Sequence, residues 1–347
     1  MPRQNGYHVA ILGATGAVGE QMLKMLDLVK FPISQLTLLS SARSSGKQVE
    51  FQGNTYTVQE AKPESFEGVD IALFSAGGSI SKQFAKEATD RGAIVIDNTS
   101  AFRMDPDVPL VVPEVNADDL HNHNGIIANP NCSTIQMVVA LEPLRQQLGL
   151  QRVVVSTYQA VSGAGQAAID ELTTQSTQML NGEEPVANVL PVKGADKHHP
   201  IAFNALPQID VFQENGFTFE EMKMINETKK ILHLPLLPVA ATCVRLPIVT
   251  GHSESVTVHL SQAATREQVK AILEEGPGIT VQDQPEEQVY PTPLASVGHP
   301  DVFVGRIRQD MDDPQVFHMW VVSDNLLKGA AYNSVQIAQE LIKRELV

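Results

Sequence analysis

One of the chain's two cysteines follows a proline turn in Ala128-Asn129-Pro130-Asn131-Cys132-Ser133-Thr134-Ile135-Gln136-Met137. The residues before it, Gly125 to Ala128, end a buried apolar segment, and Ile135, Val138, Val139 and Leu141 after it carry helical spacing. Cys132 is therefore expected near a helix N-terminus, where partly positive N–H groups favour thiolate over thiol. A thiolate there is a nucleophile; the competing reading is a small buried hydrophobe. The stretch from Pro238 to Ser255 supplies possible partners. On a strand continuing from Cys243, that residue and Arg245 project to one face, and His252 follows Gly251 in an expected turn before the strand Ser255 to Leu260. A lone histidine is more often structural than catalytic. Together, however, thiol, imidazole and guanidinium are the nucleophile, base and carboxylate fork of thiol-based acyl chemistry.

Other groups leave alternatives open. Arg152 to Val161 reads as a strand and Ser162-Gly163-Ala164-Gly165 as a loop opening a helix from Gln166 to Leu180. Gln159 either orients a carbonyl oxygen or faces water, while Ser162 and Gly163 can approach a nicotinamide without steric hindrance. Phe219 to Ile231 is a charged helix on which Glu220 and Lys223 share a face. That spacing suits a two-headed substrate clamp, but without context a helix-stabilising ion pair is preferred. Arg103 closes the polar strand end Asp97 to Met104, as a surface charge or an anion contact. The adjacent His198 and His199 lack a partner at ligand spacing, so no metal site is expected.

The apolar strand Tyr7 to Leu12 runs directly into Gly13-Ala14-Thr15-Gly16-Ala17-Val18-Gly19 and then an amphipathic helix, Glu20 to Leu28. Gly13 permits a tight turn, Gly16 lets the backbone approach a pyrophosphate, Gly19 allows close helix packing, and the helix N-terminus receives the negative charge. After a second strand, Gln35 to Leu39, the chain carries Ser40, Arg43 and Ser44 where an NAD site would carry an acidic residue. Arg43 and Ser44 are expected to hold a 2′-phosphate, hence NADP. The strand Val69 to Phe74, the small-residue turn Ser75 to Ser79, a helix from Ile80 to Arg91 and the strand Ala93 to Asp97 continue a doubly wound domain, with Ser75 in the cofactor crevice. Later segments, Val302 to Arg308 and Val316 to Val322, alternate like antiparallel strands with one solvated or subunit-facing side, and a final helix is expected from Ser323-Asp324-Asn325 to Leu346.

A length of 347 residues suggests two domains. The net charge of −15 argues against a nucleic-acid surface, so an anionic ligand needs local cations. Two cysteines outside any CxxC pair exclude a disulfide framework and point to thiols in a reducing compartment. There is no run of about 18 apolar residues, and Met1 to Gly6 lacks a signal-peptide core. The expected location is cytoplasmic, with no membrane partner.

The glycine turn 13–19, Asn129-Pro130-Asn131-Cys132-Ser133-Thr134, Ser162-Gly163-Ala164-Gly165, Glu220 to Lys223, Arg245 to His252 and Asn325 to Ala331 occur in an order and spacing that resemble the bacterial aspartate-semialdehyde dehydrogenases essentially end to end. The resemblance implies a Rossmann-like NADP-binding domain (1–130 with 325–347) and a mixed-sheet catalytic and dimerisation domain (131–324), an α/β fold with an α+β second domain. It assigns acyl-enzyme formation to Cys132, proton transfer to His252 and substrate positioning to Gln159. Arg245 matches the fork for the α-carboxylate, Glu220 the contact to the α-amino group, and Arg103 and Lys223 the phosphate site. Gly13, Thr15, Gly16, Ala17, Val18, Gly19, Ser40, Arg43, Ser44, Ser75, Ser162, Gly163 and Asn325 are the expected cofactor residues, some relatives carrying glutamine in place of Asn325. The implied reaction makes aspartate semialdehyde from β-aspartyl phosphate, as a homodimer, in lysine (diaminopimelate), threonine and methionine biosynthesis. N-acetyl-glutamyl-phosphate reductase chemistry and a non-catalytic nucleotide sensor are the alternatives.

Overall fold

The computed structural model describes residues 6–347; residues 1–5, on which the reading of the N-terminal segment falls, lie outside them. The chain divides into two compact units. One runs to Asn131 and resumes at Gly329–Val347, and the other is Cys132–Lys328. The sequence reading puts these boundaries at 130/131 and 324/325, so Asn325 falls in the second unit.

In the first unit the apolar run Tyr7–Leu12 is β1, followed by α1 (Ala17–Leu28) and β2 (Ile33–Ser40). A ribbon of β3 (Gln48–Phe51) and β4 (Asn54–Thr57) and the short β5 (Gln59–Glu60) come next, then β6 (Ile71–Phe74), α2 (Gly78–Thr89), β7 (Ile94–Asp97), the single turn α3 (Pro113–Asn116) and β8 (Ile126–Ala128). The six strands of the main sheet are all parallel in the order β5-β2-β1-β6-β7-β8. The continuous burial of β6 and β7 is what a parallel sheet covered on both faces demands.

The second unit is built on α4 (Cys132–Leu148), whose residues Ser133 to Leu144 are all buried. A helix with that burial is a core element enclosed by its neighbours, not a surface amphipath. Beneath it lies a mixed sheet from β9 (Leu150–Gln159), β10 (Val239–Arg245), β11 (His252–Leu260), β12 (Ile279–Val281), β13 (Val302–Gln309) and β14 (Val316–Ser323), in the order β10-β9-β11-β14-β13-β12. Helices α5 (Gln166–Leu180), α6 (Phe219–Ile231), α7 (Arg266–Glu274) and the short α8 (Pro293–Ser296) complete it. The irregular segment between α5 and α6 is tied down from α5. The Glu171 carboxylate accepts N–H bonds from Val189 and Leu190, and Gln175 Oε1 accepts from Ile201 and Ala202. Thr218 and Glu221 form a reciprocal cap at the start of α6, and Glu221 also accepts from the N–H of Cys243 in β10.

Two sequence expectations shift. His252 opens β11 instead of sitting in a turn, because antiparallel pairing with β14 begins at His252 and Ser323. The last helix does not start at Ser323, which ends β14. A π-helical turn, Leu327–Ala331, precedes α9 (Tyr332–Lys343), which packs on α1, α3 and β7.

Glycine 19 is required by proximity. A Cβ there would overlap the Gly13 carbonyl oxygen and lie 2.9 Å from Ala14 Cα. Gly19→Ala is expected to cost about 1–3 kcal/mol of stability and to weaken nucleotide binding. Thermal melting and a fluorescence titration check this; unchanged curves in both would show that the close approach is dispensable.

Candidate active site

In the first unit, a cleft of about 570 Å³ opens at the C-terminal ends of β1 and β2, lined by Gly13, Thr15, Gly16, Ser40, Arg43, Ser44 and Ser75. Gly13 has φ +95°, and a Cβ on it would meet the Ser75 side chain and carbonyl carbon at 2.9 Å. Glycine is thus needed both for the turn and for the approach of the β6 end. Ala17, Val18 and Gly19 form the first turn of α1 and do not line the cleft. Lys47 and Glu60 do, which the sequence reading missed. Only the return of the β3–β4 ribbon and β5 to the end of β2 brings them there.

Arg103 also belongs to this unit. It is buried, its Nε donating to the Asn129 carbonyl at 2.9 Å and Nη2 to the Asn98 carbonyl at 2.9 Å, so it is not a surface charge. Asp97 shapes the turn leading to it, accepting from Ser81 Oγ and Thr99 Oγ1, each at 2.7 Å. Burial raises the Asp97 carboxyl above its ordinary value, against those bonds and Arg103.

In the second unit, strand register assembles the chemistry. Arg245 on β10 pairs with Gln159 on β9, and His252 on β11 pairs with Ser323 on β14. The β9–β11 pairing of Tyr158 with Ser253, continued by one residue, sets His252 across from Gln159. Arg245, Gln159, His252 and Ser323 therefore form one row on the buried face. The start of α4 is fastened to that row by a hydrogen bond from Gln159 Nε2 to Ser133 Oγ, next to Cys132. Cys132 is the first residue of α4, partly buried, and close enough to Arg245 for their charges to interact.

Gln159 is 1% exposed and so does not face water. Its Nε2 also donates to Glu220 Oε1 at 2.9 Å, which fixes the amide orientation and leaves Oε1 without a partner among the described residues. What Gln159 offers a ligand is an acceptor, not the donor a carbonyl would need. Glu220 and Lys223 do form the ion pair, at 3.2 Å, with Lys223 also on Asp210 at 2.9 Å. Arg245 is buried, its Nη1 donating to the Ala160 carbonyl at 2.7 Å. The N–H of the same Ala160 donates to His252 Nδ1 at 3.1 Å, while His252 Nε2 is buried and has no partner among the described residues. Burial first, and Arg245 second, lower the His252 pKa to about 3, with Glu220 opposing.

Gly163 lies against these groups, where a Cβ would sit 3.1 Å from Arg245 Nη1 and 3.3 Å from His252 Nε2. Asn325 has a fastening task. Its Oδ1 accepts from the Gly251 N–H at 2.9 Å and its Nδ2 donates to Ser162 Oγ at 3.0 Å, joining the turn before His252 to the 161–164 turn. Cys243 is excluded as the nucleophile, since it is fully buried beside Met224 and burial pushes its thiol up.

Comparison with known proteins agrees with both halves of this description. The model for the semialdehyde dehydrogenase NAD binding domain matches residues 8–123, and that for the semialdehyde dehydrogenase dimerisation domain matches 141–328. Aspartate-semialdehyde dehydrogenase of Bacillus subtilis is 66% identical over 99% of each chain. The chain belongs to the aspartate-semialdehyde dehydrogenase family. The crystal structure of aspartate semialdehyde dehydrogenase II complexed with ASA from Vibrio cholerae superposes with a TM-score of 0.93 at 47% identity, covering 97% of this chain and 98% of that one. The Candida albicans enzyme with NADP gives 0.74 at 27%, covering 99% and 100%.

Members of the family are enzymes, and two groups around this chain's row escaped the sequence reading. Ala160 acts through its backbone and has no side-chain signature. Glu254, on the buried face two residues beyond His252 and opposite Thr157, becomes visible by period-two counting only once β11 is known to start at His252. Burial raises its carboxyl well above the usual carboxylate range, with Gln136 the polar neighbour that opposes the shift. No helix among the described residues is long and apolar enough to cross a membrane, and no group of three or more His, Cys, Asp or Glu among them could hold a metal.

Gly163→Ala is expected to crowd the imidazole and guanidinium and to lower kcat/KM for the carbonyl substrate by about tenfold, about 1.4 kcal/mol, with the melting temperature nearly unchanged. Steady-state kinetics beside a melting curve check it; full activity would mean that this space is not used.

Proposed function

We propose that the chain is an NADP-dependent aspartate-semialdehyde dehydrogenase that converts β-aspartyl phosphate to aspartate semialdehyde through a thioester on Cys132. The observation that carries this reading is the buried row: two polar atoms without partners among the described residues, Gln159 Oε1 and His252 Nε2, beside a partly buried thiol at a helix start. A buried polar atom left unsatisfied costs about 1–3 kcal/mol, and a site that keeps two of them is shaped for a ligand.

Each residue then has a task. The Cys132 thiolate attacks the acyl carbon, the S–C bond forms, and phosphate leaves with the bonding pair toward Lys223. Arg245 holds the α-carboxylate; its guanidinium is already oriented by the Ala160 carbonyl, which is why a planar fork is needed and not a point charge. Glu220 and the acceptor Gln159 Oε1 suit an ammonium group. An N-acetylated substrate would leave that pair of acceptors unmatched, which favours the aspartyl over the N-acetyl-glutamyl reading. The cleft at Gly13, Thr15 and Gly16 fits a pyrophosphate at the start of α1, and Arg43, Ser44 and Lys47 fit a 2′-phosphate. When bound there, the nicotinamide cofactor supplies the hydride that reduces the thioester.

Assignment to lysine, threonine and methionine biosynthesis in the cytoplasm follows from this substrate. The match of residues 141–328 to a dimerisation domain supports a homodimer, for which the outer face of the second sheet, with the half-buried rings of Tyr158 and Trp320 at a centroid distance of 5.4 Å, is the surface.

The deciding assay is phosphate-dependent NADP reduction with aspartate semialdehyde, with arsenate replacing phosphate in a parallel run. Cys132→Ala is expected to abolish turnover while NADP still binds by thermal shift; appreciable residual turnover would contradict the covalent route. Loss of a charge-assisted hydrogen bond is worth about 1.5–3 kcal/mol. Arg43→Ala should therefore lower the ratio of catalytic efficiencies for NADP over NAD by about 10- to 100-fold, and a clear NAD preference in the unaltered protein would remove this assignment.

A further inference from the structure

Lys223, the cation toward which phosphate is proposed to leave, already carries two carboxylates. Its Nζ donates to Asp210 Oδ2 at 2.9 Å and to Glu220 Oε2 at 3.2 Å, and it stands 4.6 Å from the centroid of the Phe219 ring. One ammonium between two carboxylates leaves a net negative charge. A phosphate dianion brought to that cation is repelled unless one of the carboxylates gives way.

The two are held differently. The Glu220 side chain is 7% exposed and stands on α6, and its Oε1 accepts from Gln159 Nε2 at 2.9 Å, so the buried row fixes it. The Asp210 side chain is 33% exposed and lies in the irregular segment before α6. Its Oδ1 accepts from the adjoining Val211 N–H at 2.9 Å, a bond that does not depend on Lys223. The terminal torsion of an aspartate is broad, so the carboxylate can turn off the ammonium without a move of the main chain. Asp210 is therefore the exchangeable anion of the pair.

The main chain at this position is set for the task. Asp210 has φ +69°, in the left-handed region where Asp and Asn are tolerated and branched side chains are strained. The Phe219 N–H donates to the Val211 carbonyl at 2.8 Å and Phe212 bridges to Thr218, which returns the segment to the start of α6. Asp210 thereby meets Lys223 from 13 positions away.

We propose that Asp210 is a built-in competitor for the phosphate subsite. It neutralises Lys223 between turnovers, yields when phosphate or the acyl phosphate binds, and retakes the ammonium as phosphate departs. The inference rests on the placement of phosphate at Lys223 in the preceding section. It adds a residue that acts through Lys223 to keep the affinity for a tetrahedral oxyanion low and its release fast.

The test is steady-state kinetics of the full-length protein with aspartate semialdehyde, NADP and varied phosphate, on the unaltered chain, Asp210→Asn, Lys223→Ala and the double variant. Asn suits the left-handed backbone and keeps an oxygen for the Val211 N–H, so only the charge is lost. Asp210→Gly, equally at home in that backbone, replaces it if the Asn variant does not fold. KM for phosphate and for arsenate is expected to fall about three- to tenfold, the worth of one charged contact on a partly buried cation. KM for aspartate semialdehyde should stay within about twofold. Phosphate should inhibit the biosynthetic direction more tightly by the same factor. An unchanged or raised phosphate KM in Asp210→Asn overturns the proposal, a raised value being what mere structural support of Lys223 gives. In the double variant the effect of Asp210→Asn should vanish, and a gain that persists there also overturns it. If Lys223→Ala leaves the phosphate KM untouched, the phosphate placement itself falls, and with it the premise. Should the unaltered protein not turn over aspartate semialdehyde, the functional reading fails, and calorimetric titration with inorganic phosphate then decides: tighter binding by Asp210→Asn than by the unaltered chain sustains the proposal, and equal or weaker binding overturns it.

Discussion

A row of four side chains across a buried sheet face, Arg245, Gln159, His252 and Ser323, is the constraint from which the second unit's chemistry follows. Side chains alternate faces along a strand, so a one-residue slip in any pairing would turn a member of the row outward. The row tolerates no slip because the next one beneath it, Cys243, Thr157, Glu254 and Val321, is also buried. The apolar positions further along, Val155, Val256 and Met319, lock the same register by ordinary packing.

Burying so many polar groups requires that they satisfy one another, and the backbone does much of this. Ala160 gives a donor to His252 and an acceptor to Arg245, and Asn325 ties the turns at 251 and 162. Gln136 reaches from α4 to accept from Ser323 Oγ at 2.7 Å and to donate to the His252 carbonyl at 3.4 Å. The few atoms left over point to where a ligand's own polar groups complete the network. Because both donors and acceptors are held by rigid elements, little reorganisation is needed when charge develops on a substrate oxygen.

The first unit works by a different economy. Its cleft is lined by residues at the ends of parallel strands and in the glycine turn before α1, and its demands fall on small residues. Gly13 needs a left-handed conformation, Gly19 needs the absence of a Cβ, and Ser75 closes against Gly13. These requirements are local, which is why a short motif carries them.

The sequence by itself determined what depends on neighbours in the chain. The strand–glycine turn–helix at 7–28, a helix N-terminus near Cys132 and the charged helix 219–231 were all legible, because conformational preference and helix periodicity act over a few residues. It left open whether Gln159 faces water, set His252 in a turn, and was silent on Ala160, Lys47 and Glu254. Only the tertiary structure decided these, since each answer depends on which residue of another strand, some tens to hundreds of positions away, stands opposite. Register, burial and the direction of a backbone N–H are properties of the assembled sheet; no stretch of the chain contains them alone.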